Sequence, residues 1–589
     1  MKNCQIVSAP GAEPISVADR LKLGGLPPNF TCLPGGIYQD DADEETGPSW
    51  LCSRFTVVAR FRDSSGRGWG RILEVEDPDG MPQRISLLDK DLETRPGAVR
   101  GDLASLGLQM QSGPKSREAL IRLIREWKPT RIMTSTDKIG WADESCAAFV
   151  QSDGHVLGMG DFHFNGPKLD NAKEENPLRG SVEDWRGSVA SLCVGNPLLA
   201  VSVSLAFAGP LLEFLNEEGG GIHLRGASSC GKTTIQRVAT SVWRNPSRVG
   251  SWRTTSNALE VTAKAANSTL LSLDEIAEIS GRHLDEVTYM LANGVGKVRA
   301  NAQGSAAQPA AWRVAILSTG EISVSDKLAE AGAKIMAGQN IRLIDLEADS
   351  SRFGAFDLLH GFASGAEFSD RLKRATAVNY GTAGPAFVEW LIRNRTEVRR
   401  VGGGILDGLV GQWRQALSID DDAQVLRVAR RLAVIALAGE LAGRAGLTGW
   451  KTGEARDAAK VALDLWLDGR GVTLTNSGQA AKERTCTYIL ANEAGFAEPC
   501  SAGETKEPGI HGWKIGDLFL ISSHAWHAIH GSEATQAARD LKMAGLLVPG
   551  EKDNLARKAP RWVDGRPRYY TVRAQIIGNR VPVDPVTSV

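Results

Sequence analysis

The stretch Gly226-Ala-Ser-Ser-Cys-Gly-Lys-Thr233 constrains this chain more than any other feature. It reads GxxxxGKT. An apolar run with Ile222 and Leu224 leads into it, and the amphipathic segment TTIQRVATSVW leads out, so a strand–loop–helix unit is expected. Glycines at this spacing let backbone N–H groups turn inward around a phosphate, and the helix N-terminus adds positive potential. Gly226, Ala227, Ser228, Ser229, Cys230, Gly231, Lys232, Thr233 and Thr234 are therefore the candidate nucleotide-binding residues, with Mg²⁺ and ATP as the expected ligands. Lys232 supplies a point charge to the β- and γ-phosphates, and Thr233 a hydroxyl to the metal.

A hydrolase of this kind needs carboxylates at the end of a second strand. STLLSLDEIAE supplies them: an apolar run (Leu270, Leu271, Leu273) ends in Asp274-Glu275, 274 − 232 = 42 residues after the lysine. Asp274 is expected on the metal's outer shell and Glu275 on the attacking water. Two acids in succession favour hydrolysis over phosphoryl transfer to a bound metabolite. A third strand, WRVAILSTGE, ends in Ser318-Thr319, which could read the γ-phosphate. Arg342, 342 − 319 = 23 residues further on, could reach the nucleotide of a neighbouring subunit or serve equally in a structural salt bridge. Arg371 and Arg374 are candidates for a second sensor. Between the acids and the sensor strand lies GVGKVRANAQGSAAQPAAWR, with Lys297 and Arg299 before a polar tip. Its position makes it a hairpin candidate for gripping DNA phosphates, a contact that is independent of sequence and sensitive to salt.

The compact order of these parts resembles the superfamily 3 helicases and their AAA+ relatives. SVWRNPSRVGSWRTTSNALE, LLSLDEI, YMLANGVGKVRA and AGQNIRLIDL resemble more closely the family called domain of unknown function 927, helicase-like ATPases of phages, plasmids and genomic islands. DKIGWADESCAAFV upstream, and GELAGRAGLTGWKTGEA with WLDGRG downstream, are similar to flanking motifs of that family, so the likeness spans roughly residues 100 to 475. It implies a homo-oligomeric, hexameric ring ATPase acting on single-stranded or forked DNA, as in replication of a mobile element. A nucleotide-driven DNA-binding switch without strand separation (an initiator, a loader or a defence ATPase) fits the same motifs. A P-loop phosphotransferase fits them less fully. No primase-type metal motif is evident, so priming is not implied.

The expected fold class is α/β. A P-loop ATPase core (186–350) follows an N-terminal α/β domain (1–185) and precedes a helical lid region (351–475) and a winged-helix-like C-terminal domain (476–589). The N-terminal meander is read from SRFTVVARFRDSSGRGWGRILEVEDPDGMPQRISLL, followed by the helix SREALIRLIREWK with Arg117, Arg122, Arg125 and Lys128 on its polar face. At the other end, Arg557 to Arg573 carries six basic residues against Asp564. Net charge is −1, so any affinity for DNA must come from such local patches.

Gly187 to Leu212 holds no charged residue and is long enough to cross a bilayer. Asn196-Pro197 reads as a helix start, with Gly209 and Pro210 interrupting the run, so a buried core helix of about four turns is expected and no membrane. Eight scattered cysteines with no CxxC pair point to a reducing, cytoplasmic setting without a disulfide framework. His524, His527 and His530, spaced i, i+3, i+6, could approach one helix face and hold zinc, but no Cys or acidic partner stands nearby.

Overall fold

The computed structural model describes residues 25–40, 48–166, 178–298, 309–330, 342–416, 422–470, 476–497, 511–543, 546–550, 554–560 and 566–577. The chain divides into two compact units, 1–459 and 460–589.

In the first unit the expected meander forms. Phe55–Arg62, Gly70–Glu76 and Pro82–Leu88 pair in succession as antiparallel strands. Ile132–Thr136 then adds parallel to the first of them, and Phe162–Phe164 adds parallel to that. The helix Pro114–Glu126 buries Leu120, Leu123 and Ile124, with Trp127 following, in a core shared with Phe55, Leu73 and Leu87. Its polar face is partly occupied: Arg125 pairs with Glu93 at 2.9 Å, and the Arg122 guanidinium lies 5.8 Å from the Phe30 ring.

The nucleotide motifs fall on a five-stranded parallel sheet. Its strands are β1 (Gly220–Arg225), β2 (Gly250–Ser251), β3 (Leu270–Asp274), β4 (Ala315–Gly320) and β5 (Leu343–Glu347), in the spatial order β2-β3-β4-β1-β5. The chain leaves β1 for the far edge, returns through β3 and β4, and crosses β1 to finish at β5. The first strand is thus a switch point, and in open α/β sheets ligands bind beyond the carboxyl ends of strands at such points.

Helix α1 (Pro197–Phe214) takes in the charge-free run from Pro197 to Leu212 and ends just past Glu213. It is apolar all round because it is covered on all sides. It packs on β3 and β4, on α2 (Lys232–Thr240), and on the long helices Ala383–Ala416 and Ala423–Arg444. The expected break at Gly209-Pro210 does not occur; α1 runs through it for 18 residues. Pro210 has no N–H to give the Ala206 carbonyl, and the Trp243 indole N–H donates to that oxygen instead, at 2.7 Å. One residue earlier only glycine fits, since a Cβ at 209 would stand 2.6 Å from the Thr269 carbonyl oxygen.

The second unit joins Asn476–Ala491, Ser523–His530 and Ala534–Met543, all helical, to a sheet built on Arg568–Arg573. Arg557–Lys558 pairs antiparallel with that strand, Arg557 opposite Tyr569, and Arg557, Lys558, Arg568 and Arg573 are exposed. The histidine run does not present one face: His530 is buried and bonded to Thr485, while His524 and His527 are exposed. Among the described residues no group of three His, Cys, Asp or Glu could hold a metal ion.

Candidate nucleotide site

The loop from Gly226 to Gly231 joins the carboxyl end of β1 to the first turn of α2. Two of its residues, Ser229 (φ 65°) and Gly231 (φ 118°), take the left-handed conformation that turns the backbone sharply. The Lys232 ammonium donates back across the loop to the carbonyls of Gly226 (2.8 Å) and Ala227 (2.7 Å) and lies 3.8 Å from the Cys230 Sγ. These bonds hold the ammonium against the loop's own backbone, so its side-chain freedom is already restricted. Thr233 is exposed in the first turn of α2, whereas Thr234 is buried and hydrogen-bonded to Ser369 at 2.6 Å. Ser369 lies on the helix Gly365–Val378, which also carries Arg371 and Arg374; Arg371 is half-buried and Arg374 is exposed.

The two acids stand at the carboxyl end of β3, across β4 from the loop. Asp274 is fixed through Oδ1, which accepts from the Glu275 N–H (3.0 Å) and from the Thr319 hydroxyl. Thr319 therefore touches the Asp274 carboxylate directly. Glu275 has φ 55°, a left-handed conformation costing a non-glycine residue about 1–3 kcal/mol. Its carboxylate accepts from the Ala277 N–H at 3.2 Å and is half-buried.

Ser318 turns the other way, into the core. Its hydroxyl meets His223 Nδ1 at 2.8 Å and accepts from the Trp252 indole N–H at 2.9 Å. Because strand side chains alternate in direction, the Ser-Thr pair splits between two tasks, and only Thr319 faces the acids. Burial pushes the His223 imidazole toward its neutral form, and His223 Nε2 reaches the Ile322 carbonyl at 3.0 Å.

Sequence reasoning missed the segment after β5. The Asp349 carboxylate accepts from the Ala227 N–H at 2.8 Å, and Ala355 N–H donates to the Cys230 carbonyl at 2.8 Å. Asp349 thereby fixes the start of the loop and Ala355 its end. The only sequence signal is its place just past a strand that neighbours β1, which becomes visible only once the strand order is known.

Arg342 sits at the opposite end of the sheet. It precedes β5, whose first residue Leu343 pairs with Gly221, and its guanidinium stacks 4.6 Å from the Tyr289 ring. Five strand residues separate that end from the phosphate loop, roughly 17 Å, so Arg342 does not reach its own chain's loop.

The hairpin candidate begins at the same end. Val295 bridges Ala311 antiparallel, and Gly296 and Trp312 donate backbone N–H groups to Ala310 and Gly294 at 2.8 Å each. Gly294 must be glycine: its φ is 70° and a Cβ there would stand 2.0 Å from the Trp312 carbonyl oxygen. Lys297 is half-exposed and paired with Glu286 at 2.6 Å, and this ammonium holds the Glu286 carboxyl below its ordinary range. Arg299 lies outside the described residues.

For Mg²⁺, Thr233 and Asp274 offer two oxygen donors, with both hydrogen bonds to Asp274 landing on a single oxygen. That suits an ion that keeps several waters and takes its remaining ligands from phosphates.

No curated protein matches the chain. The solved structure "SCCmec type IV Cch - active helicase" is 18% identical, with a TM-score of 0.57 over 93% of this chain and 99% of that one; the likeness is one of fold. A second, NtrX from Brucella abortus in complex with ATP, is 12% identical over 62% of this chain and 67% of that one, and its TM-score of 0.16 is too low to bear on the fold. Residues 31–311, which take in the phosphate loop, the Asp274-Glu275 pair and both sides of the hairpin base, match the model of the family described as Domain of unknown function (DUF927).

Proposed function

We propose that the chain is an ATP-dependent DNA helicase or translocase, working as a hexameric ring during replication of a phage, plasmid or genomic island. The observation that carries this reading is the gathering of Lys232, Asp274, Glu275 and Thr319 at the carboxyl ends of β1, β3 and β4, with the hairpin base and Arg342 at the other end of the sheet, before β4 and β5 respectively. Lys232 and the loop N–H groups hold the phosphates. Glu275 orients water and takes its proton. Thr319 keeps Asp274 in place and links the acids to β4. Mg²⁺, when bound with the nucleotide, supplies neutralisation of phosphate charge. Arg342 serves a neighbouring copy's nucleotide, since its own lies at the far end of the sheet. β4 carries Thr319 at one end and continues back through Trp312 to the hairpin at the other, so movement at the γ-phosphate shifts Lys297 and Arg299 against a DNA strand. The four-domain division given above, with a winged-helix-like C-terminal domain, belongs to this reading.

Hydrolysis measured with and without single-stranded DNA, together with strand displacement on a fork, tests it. The expected outcome is DNA-stimulated hydrolysis by the wild type, and loss of unwinding with basal hydrolysis retained in Lys297→Ala/Arg299→Ala. If the wild type shows neither stimulation nor unwinding, the helicase reading fails and the nucleotide-driven switch takes its place.

A further inference from the structure

The last two described stretches of the second unit, 554–560 and 566–577, hold five cations and no acid: Arg557, Lys558, Arg566, Arg568 and Arg573, all exposed. All but Arg573 gather at one end of a two-stranded ribbon. Arg557–Lys558 runs antiparallel to the start of Arg568–Arg573, with Arg557 opposite Tyr569 and Lys558 directly opposite Arg568. Side chains opposed in this way share a face with Cβ atoms about 5 Å apart, and like charges there repel.

Backbone carbonyls, rather than carboxylates, hold two of these guanidinium groups. Arg568 Nη1 donates to the Ala556 carbonyl at 3.2 Å, and Arg566 Nε donates to the Ala559 carbonyl at 3.1 Å. Among the described residues none of the five cations makes an ion pair. A lysine on an edge strand deters pairing with other chains, which accounts for Lys558 alone. That use needs no cation on the strand inside the edge, where Arg568 stands. Setting two cations against each other is unfavourable unless an anion joins them.

We infer that this ribbon is a contact surface for the phosphates of duplex DNA. A two-stranded ribbon has the width that the major groove, about 12 Å across, admits. Neighbouring strand residues point to opposite faces, so Arg557 lies on one face and Lys558 with Arg568 on the other, and cations meet both walls of a groove. Tyr569 and Tyr570 are buried, so the described part of the ribbon offers no aromatic face on which single-stranded bases could stack. Phosphate contact of this kind is independent of sequence and sensitive to salt. The surface belongs to the second unit alone and stands whether or not the first unit unwinds DNA.

Anisotropy titration of the full chain, without nucleotide, against a short labelled duplex and a single strand of the same length tests the assignment. Lys558→Glu/Arg568→Glu is expected to weaken duplex binding roughly tenfold or more and to lower the slope of log affinity against log salt by about two. The single strand should be affected far less. Lys558→Glu alone turns the like pair into an opposite one, so its melting temperature should equal or exceed that of the wild type while duplex affinity falls. Damage to the fold would lower both. Unchanged duplex affinity and salt slope in the double variant overturn the assignment. An equal loss on the single strand, or on phosphatidylglycerol vesicles, also overturns it, since the surface would then be a general anion contact.

Discussion

Glu275 and His530 show how single residues are set by what surrounds them. Glu275 sits in a strained backbone conformation directly after the β3 carboxylate, with its side chain tethered to the Ala277 N–H. Glu275→Gln keeps size and tether but cannot accept a proton from water. Its turnover is expected to fall about 10²–10⁴-fold with ATP binding retained, as single-turnover hydrolysis and nucleotide titration would show. His530 is a structural counterpart in the second unit. Thr485 donates its hydroxyl hydrogen to the Ala481 carbonyl, so it accepts from His530 Nε2–H, while His530 Nδ1 is buried with no partner among the described residues. Burial first, then Arg484, pushes this imidazole down to about 4. The unfolded chain, titrating near 6.5, therefore binds the extra proton first. The contribution of this group to stability is expected to be full above about pH 6.5 and to decline as pH falls toward 4, by about 1 kcal/mol per unit. Melting of the full chain between pH 7 and 5 should show this slope, reduced in His530→Leu.

Among elements, α1 is the most instructive. Its composition announced burial, but its continuity through Pro210 depends on a donor 37 residues along the chain. Trp243→Phe removes that donor and leaves the Ala206 carbonyl unpaired, a cost of about 1–3 kcal/mol. In a Pro210→Ala background the helix supplies its own N–H, so the same substitution should cost markedly less. Denaturant midpoints of the four proteins of this cycle would measure the coupling. The hairpin base is likewise an element held by backbone: Gly294 admits the close approach of Trp312, and Lys297 pairs with Glu286. Its place between the acids and the sensor strand was legible in the sequence. The Glu286 pairing was not, because it depends on which face of the helix Gly281–Asn293 the returning chain meets.

At the scale of the whole molecule, β5 places Arg342 at the end of the sheet remote from its own phosphate loop. If it completes a neighbour's site, Lys232→Ala and Arg342→Ala are each inactive alone but complementary when mixed. An equimolar mixture is expected to recover about a quarter of wild-type hydrolysis, since half the loops are intact and half of those adjoin an intact arginine. A mixture no more active than its parts would show that Arg342 does not act between subunits.

The sequence by itself determined the strand–loop–helix unit around Gly226 to Thr233, the strand ending in two acids, the polar end of the next strand and the buried character of α1. Each of these is local: a few residues whose spacing sets backbone conformation and which side chains share a face. Only the tertiary structure decided which of Ser318 and Thr319 meets Asp274, that Asp349 fixes the start of the loop, and that Arg342 stands at the end of the sheet away from its own loop. Those outcomes follow from strand order and helix packing, which join residues 45 to 122 positions apart and leave no local pattern to read.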